Sequence, residues 1–128
     1  MKLRTLLTIQ TVLLCVFGLG TLLIPNQLWG LYGITVGAGG IFFARFGGAL
    51  VVGTAWLSWL VRNASESEAR NAIVTVFFFD WAAHLIVFVL AQLDGTANAL
   101  GWSNVALGVV GTLAWAYFRF MKPSPATT

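Results

Sequence analysis

The 22 residues from Asn71 to Gln92 read N-A-I-V-T-V-F-F-F-D-W-A-A-H-L-I-V-F-V-L-A-Q. A run this long and this apolar is expected to cross a bilayer as one helix. It also carries Asp80 and His84 near its middle. An ionisable group at that depth costs roughly 2.5–3.5 kcal/mol on insertion scales, so it needs a partner or a purpose. Residues four apart lie one above the other on a helix. At about 100° per residue, the stripe through Asp80 also holds Ile73, Phe77, Ala83, His84, Val87 and Ala91. The opposite side, with Phe78, Ala82, Leu85 and Val89, has no ionisable group and is expected to face lipid. The polar stripe is expected to face protein, water or a bound group.

Composition supports the same class. Only 9% of the 128 residues are charged, and the mean hydropathy is +0.87. An ordinary soluble domain does not have this balance, whereas a membrane protein does. The net charge of +3 is no nucleic-acid signal, because the basic residues do not cluster. Cys15 is the sole cysteine, so it has no partner for an internal disulfide. It reads as a buried apolar side chain.

Four apolar spans follow from the pattern, at about 5–24, 41–61, 71–92 and 100–120. The first is too long for a signal-peptide core and has no small-x-small site after it, so it reads as a retained helix. Pro25-Asn26 ends it. The connector to Gly40 carries Trp29 and Tyr32, which suit the headgroup level, and a short interfacial helix is expected around 26–32. Its Gly37-Ala38-Gly39-Gly40 run lacks the lysine and spacing of a phosphate loop. In the second span, Ala44/Gly48 and Ala49/Gly53 are small-xxx-small pairs that allow close helix approach. Ser65 or Ser67 is expected to cap the third span, with Glu66 or Glu68 near its amino end. In the fourth, Gly108, Thr112 and Ala116 make a smooth packing face. The tail from Lys122 is expected to be mobile.

Lys2, Arg4, Arg62, Arg70, Arg119 and Lys122 all fall at the ends joined by the termini and the middle turn. By the positive-inside rule that side is cytoplasmic. The expected fold is all-α: one transmembrane domain over 1–128, a four-transmembrane-helix antiparallel bundle with both termini cytoplasmic. A bacterial cytoplasmic (inner) membrane is the expected location.

One polar site stands out. Arg45, Asp80 and His84 are expected to meet as an intramembrane cluster in the outer half of the bundle. Such a cluster serves as an internal ion pair fixing helix register, as a proton or small-ligand path, or as a ligand set using His84. A bis-histidine haem needs two histidines and His84 is the only one. A chlorophyll-type pigment needs one axial ligand, and W-A-A-H-L resembles the histidine context of bacterial light-harvesting chains. A lipid is the other bound group considered; otherwise no cofactor is expected. No metal-ligand set and no nucleophile–base constellation is visible, so no enzyme is expected. Trp29, Tyr32, Trp102 and Trp115 read as interface anchors, with Trp59 beside them. Trp56 and Trp81 lie deeper and read as packing residues.

The segments G-L-G-T-L-L-I-P, closing the first helix, and A-R-F-G-G-A-L-V-V-G, opening the second, precede a third helix that carries polar groups. In these the chain is similar to small uncharacterised bacterial four-helix integral membrane proteins, DoxX-like in outline. The resemblance implies architecture, points to Arg45 and Gly48, and carries no common activity. The expected role is a non-catalytic accessory subunit of a larger respiratory or photosynthetic membrane complex. Its partners would be the bilayer and other membrane subunits, or a second copy, and not nucleic acid. The alternatives are a stand-alone binder or carrier of a small lipophilic or protonatable ligand, and pigment binding through His84.

Overall fold

The computed structural model describes residues 1–121. Lys122 and the tail expected to be mobile lie outside the described residues. Every regular element is helical: α1 (Leu3–Leu23), α2 (Pro25–Leu31), α3 (Ala38–Val61), α4 (Glu68–Leu93) and α5 (Gly101–Ala116), the last continued by a π-helical turn (Tyr117–Met121). The chain packs as two units. The first comprises Met1–Ala64 with Thr96–Asn98, and the second Ser65–Gly95 with the chain from Ala99 onward.

Among the described residues three helices, not four, are long and apolar enough to cross a membrane: α1, α3 and α4. This corrects the expected four-span bundle. The segment expected to be the fourth span is regular for only 16 residues. At 1.5 Å per residue that is about 24 Å, against a hydrocarbon core of about 30 Å. The placement of both termini on one side rested on that fourth crossing.

Local signals explain where helices start and stop. Pro25 occupies the first turn of α2, where its missing N–H costs nothing. The expected short helix is therefore present, over Pro25–Leu31. Ser67 caps α4, its side chain accepting from the Arg70 N–H at 3.2 Å, and Glu68 stands in the first turn. A side-chain oxygen and a negative charge there offset the orphaned amides of the helix start. After α2 the chain reverses at Gly33, whose φ of +76° suits glycine. Asn98 closes this corner, donating from its backbone to Tyr32 O at 2.8 Å and from Nδ2 to Leu31 O at 2.9 Å.

In the first unit, α1 and α3 run antiparallel. Gln10 Nε2 donates to Ser58 Oγ at 2.8 Å, and Ser58 Oγ donates to the Thr54 carbonyl at 2.9 Å. Further along, Gly18 lies against Val51 and Val52, and Gly48 against Leu22. A Cβ on Gly48 would fall 2.7 Å from Leu22 N and 2.9 Å from Gly18 O. The helix backbones touch there, which only glycine permits. On α3 the buried positions Gly48, Ala55 and Ser58 are spaced by seven and three, and on α1 Leu6, Leu7, Gln10, Gly18 and Thr21 are buried. The α3 spacing is that of a seven-residue seam.

This seam corrects part of the expected packing. Gly48 is buried and Ala44 half-buried, but Ala49 and Gly53 are exposed. A Cβ on Gly53 would meet nothing within 4 Å. One residue off the seven-residue register turns a position out of the interface.

In the second unit, α5 returns antiparallel along α4. Gly108 lies against Leu85 and Gly111 against Trp81. Phe77 and Trp115 pack with tilted rings, their centroids 5.0 Å apart. In the π-helical turn, Arg119 Nε donates to Thr75 Oγ1 and Phe120 meets Phe78 edge-on at 5.3 Å. Leu85, expected to face lipid, thus faces α5, and Phe78 faces the π-helical turn that continues it. The α5 seam is Gly101, Asn104, Gly108, Gly111 and Trp115, alternating three and four. Thr112 and Ala116, expected beside Gly108 on a four-residue stripe, sit half-buried at its edge. Trp115, expected as an interface anchor, is 0% exposed. It falls on the seam, so its ring is packed inside the helix pair.

Candidate functional site

His84 is the ionisable group of the second unit that lies against α5. It stands between Trp81 and Phe88 on α4, its ring 5.5 Å from the first and 4.6 Å from the second, centroid to centroid. On the α5 side the ring is hydrogen-bonded to the backbone of Asn104. Gly108 makes the approach possible: a Cβ there would fall 3.3 Å from His84 Cδ2 and 3.0 Å from Leu85 Cα. Three turns of sequence thus cooperate. Aromatic rings one turn to either side fix the imidazole, and a glycine removes the side chain it would otherwise strike.

Asn104 is 4% exposed. Its Nδ2, His84 Nε2 and Thr112 Oγ1 are all buried without a hydrogen-bond partner among the described residues. Arg70 Nε, at the start of α4, is a fourth such atom; buried polar atoms are nearly always bonded, so four on one helix pair set it apart from an ordinary apolar one. Asn104 played no part in the sequence reading. Its signal was its place in the seven-residue series with Gly108, Gly111 and Trp115.

Asp80 lies elsewhere on α4. It is exposed, beside exposed Val76, Ala83 and Val87, which share its stripe at spacings of three and four. Among the described residues it makes no hydrogen bond or ion pair. Asp80 and His84 are neighbours along α4, yet only His84 turns into the seam. The reason is the seam's register: Phe77, Trp81 and Phe88 are buried, which places His84 at their edge and Asp80 further round the helix. Arg45 belongs to the first unit, on α3, and is also exposed.

The expected anchors fall as follows. Trp29 is half-buried, edge-on to Phe17 at 5.5 Å, and Tyr32 is half-buried beside it, with centroids 6.1 Å apart. Trp102 is 55% exposed at the start of α5. Of the two tryptophans expected to pack, Trp81 is buried whereas Trp56 is 60% exposed. Among the described residues no group of three His, Cys, Asp or Glu is placed to hold a metal ion.

No protein-family model matches the chain, and neither a curated protein nor a solved structure matches it. The functional reading therefore stands on the residues themselves.

Proposed function

We propose that the chain is a small, non-catalytic integral membrane subunit that docks laterally on a larger membrane assembly through α4. The supporting observation is Asp80. A carboxylate halfway along an apolar helix, exposed on a stripe otherwise made of Val76, Ala83 and Val87, is costly in lipid. A partner helix bearing a basic side chain relieves that cost, and Ala83 leaves room for it to approach. The basic ends of α1, α3 and α4, at Lys2/Arg4, Arg62 and Arg70, orient the chain with those ends in the cytoplasm of a bacterial cell.

Affinity purification from native membranes in mild detergent tests this. Wild-type protein is expected to bring down a fixed set of membrane partners. Asp80→Asn is expected to lose them while keeping its own helicity and monomer yield. A wild-type chain that runs alone would contradict the reading. So would a D80R variant rescued by R45D, since the pairing would then belong to this sequence itself.

A second reading rests on the unpartnered Nε2 of His84 and Nδ2 of Asn104. In it, the α4–α5 pair binds a small lipophilic ligand with a hydrogen-bonding group, or a pigment through His84. Protein purified from its native membrane would then carry an extractable small molecule that His84→Ala protein lacks. Identical extracts and identical absorption spectra from the two would end this reading.

A further inference from the structure

The first unit has a charge pattern that lateral docking through α4 does not use. It contains Lys2, Arg4, Arg45 and Arg62 and no acidic residue, since Glu66, Glu68, Asp80 and Asp94 all belong to the second unit. Because α1 and α3 are antiparallel, the start of α1 and the end of α3 share one end of the pair. Lys2, Arg4 and Arg62 therefore lie at the same end of the pair, and the next acidic residues in the chain, Glu66 and Glu68, begin the second unit.

Just inside that end is a groove of about 290 Å³, lined by Thr11, Cys15, Ala55, Trp56 and Trp59. Its wall is apolar. The Thr11 hydroxyl is already spent on the Leu7 carbonyl at 2.8 Å. Arg62 closes the outer edge: its guanidinium carbon sits 3.2 Å from the Trp59 ring centroid, and Nη1 donates to the Trp59 carbonyl. From Arg62 inward to Ala55 is seven residues, about 10 Å along the helix. Trp56 and Trp59 are both exposed on this side, as suits rings between headgroups and acyl chains.

A cationic rim over an apolar trough matches one chemistry. We propose that this groove is a binding site for an anionic diacyl phospholipid. One acyl chain lies between Trp56 and Trp59 against Cys15 and Ala55, and the phosphate lies among Arg62, Arg4 and Lys2. A second protein helix fits less well, because the end of the unit beside the trough carries basic residues and the trough is walled by two rings. Arginine and lysine near a membrane surface favour anionic headgroups additively.

Native mass spectrometry of the detergent-purified chain tests the site. The probes are phosphatidylglycerol and phosphatidylcholine with identical acyl chains. One phosphatidylglycerol adduct is expected, retained about tenfold better than phosphatidylcholine. R4Q/R62Q is expected to bring the two lipids level. Cys15→Phe, which fills the trough, is expected to weaken both. Because Cys15→Phe also risks the helix pair, a second readout uses the folded wild type. Phosphatidylglycerol brominated on its acyl chain is expected to quench tryptophan emission, and less so in W56F/W59F. Equal retention of the two lipids by wild type, or a headgroup preference that survives R4Q/R62Q, overturns the proposal. Quenching unchanged in W56F/W59F also overturns it. A ladder of many adducts without preference marks general lipid solvation and does the same.

Discussion

Gly48→Leu is expected to break the α1–α3 pair. Its Cβ alone would fall 2.7 Å from Leu22 N and 2.9 Å from Gly18 O. Both are backbone atoms, so no side chain can swing aside, and the helices must separate or slide. Overpacking a tight interface costs about 1–3 kcal/mol, occasionally more, and leucine at a backbone contact belongs at the upper end. Separation also strands Gln10 and Ser58, whose buried hydrogen bond spans the same interface. Interhelical hydrogen bonds in membranes contribute about 0.6 kcal/mol on average, so steric overlap dominates the loss. Unfolding by SDS titration from a mild detergent measures it. Gly53→Leu, on the exposed face of the same helix, is the control and should stay within about 0.5 kcal/mol of wild type.

Gly111→Ala is expected to be nearly as damaging in the other unit, although it adds a single methyl group. A Cβ there would overlap the six-membered ring of Trp81. Trp81 is itself buried, and His84 packs against its side at 5.5 Å, so the indole has little freedom to move. A cost of about 1–3 kcal/mol follows from overpacking. The pair makes a double-mutant cycle. Trp81→Leu shortens the obstacle, so Gly111→Ala should cost at least about 1 kcal/mol less in that background than in wild type. Additive effects would show that the two positions do not meet.

Both predictions rest on a register that was only half legible in the sequence. That α1, α3 and α4 are membrane-length helices was plain from their apolar runs. The cap at Ser67 and the short helix after Pro25 were plain from turn chemistry. The packing faces were harder. Small residues four apart, as in Ala49/Gly53 or Gly108/Thr112/Ala116, suggested four-residue stripes. The helix pairs instead pack on seven-residue seams, so Gly48 and Gly108 are interfacial while Gly53 is not. Gly18 was legible as a close-packing position of the first helix, but Gly111, Gln10 and Ser58 went unnoticed for the same reason. Each is ordinary within its own helix and acquires meaning only opposite its partner. The same register explains Trp115. Its position near a helix end suggested a headgroup anchor, but its place after Gly108 and Gly111 in the series buries it against Phe77.

The polar site divides along similar lines. The sequence placed Asp80 and His84 on one stripe, which the helix geometry of α4 respects. It could not say that aromatic residues on one flank would draw His84 into the α5 seam and leave Asp80 outside. It also missed Asn104, because a lone asparagine in an apolar run announces neither its burial nor its neighbour. The shortened regular length of α5 was hidden too, since composition alone does not reveal where an α-helix widens into a π-helical turn.

Photo-crosslinking along the exposed face of α4 in native membranes tests the docking reading most directly. A photoreactive amino acid at Val76, Ala83 or Val87 is expected to give one discrete protein adduct of defined mass. That adduct should vanish when Asp80→Asn is added. The opposite result would be no protein adduct at any of the three positions, or an adduct indifferent to Asp80. Either would mean that the carboxylate on α4 does not seat a partner.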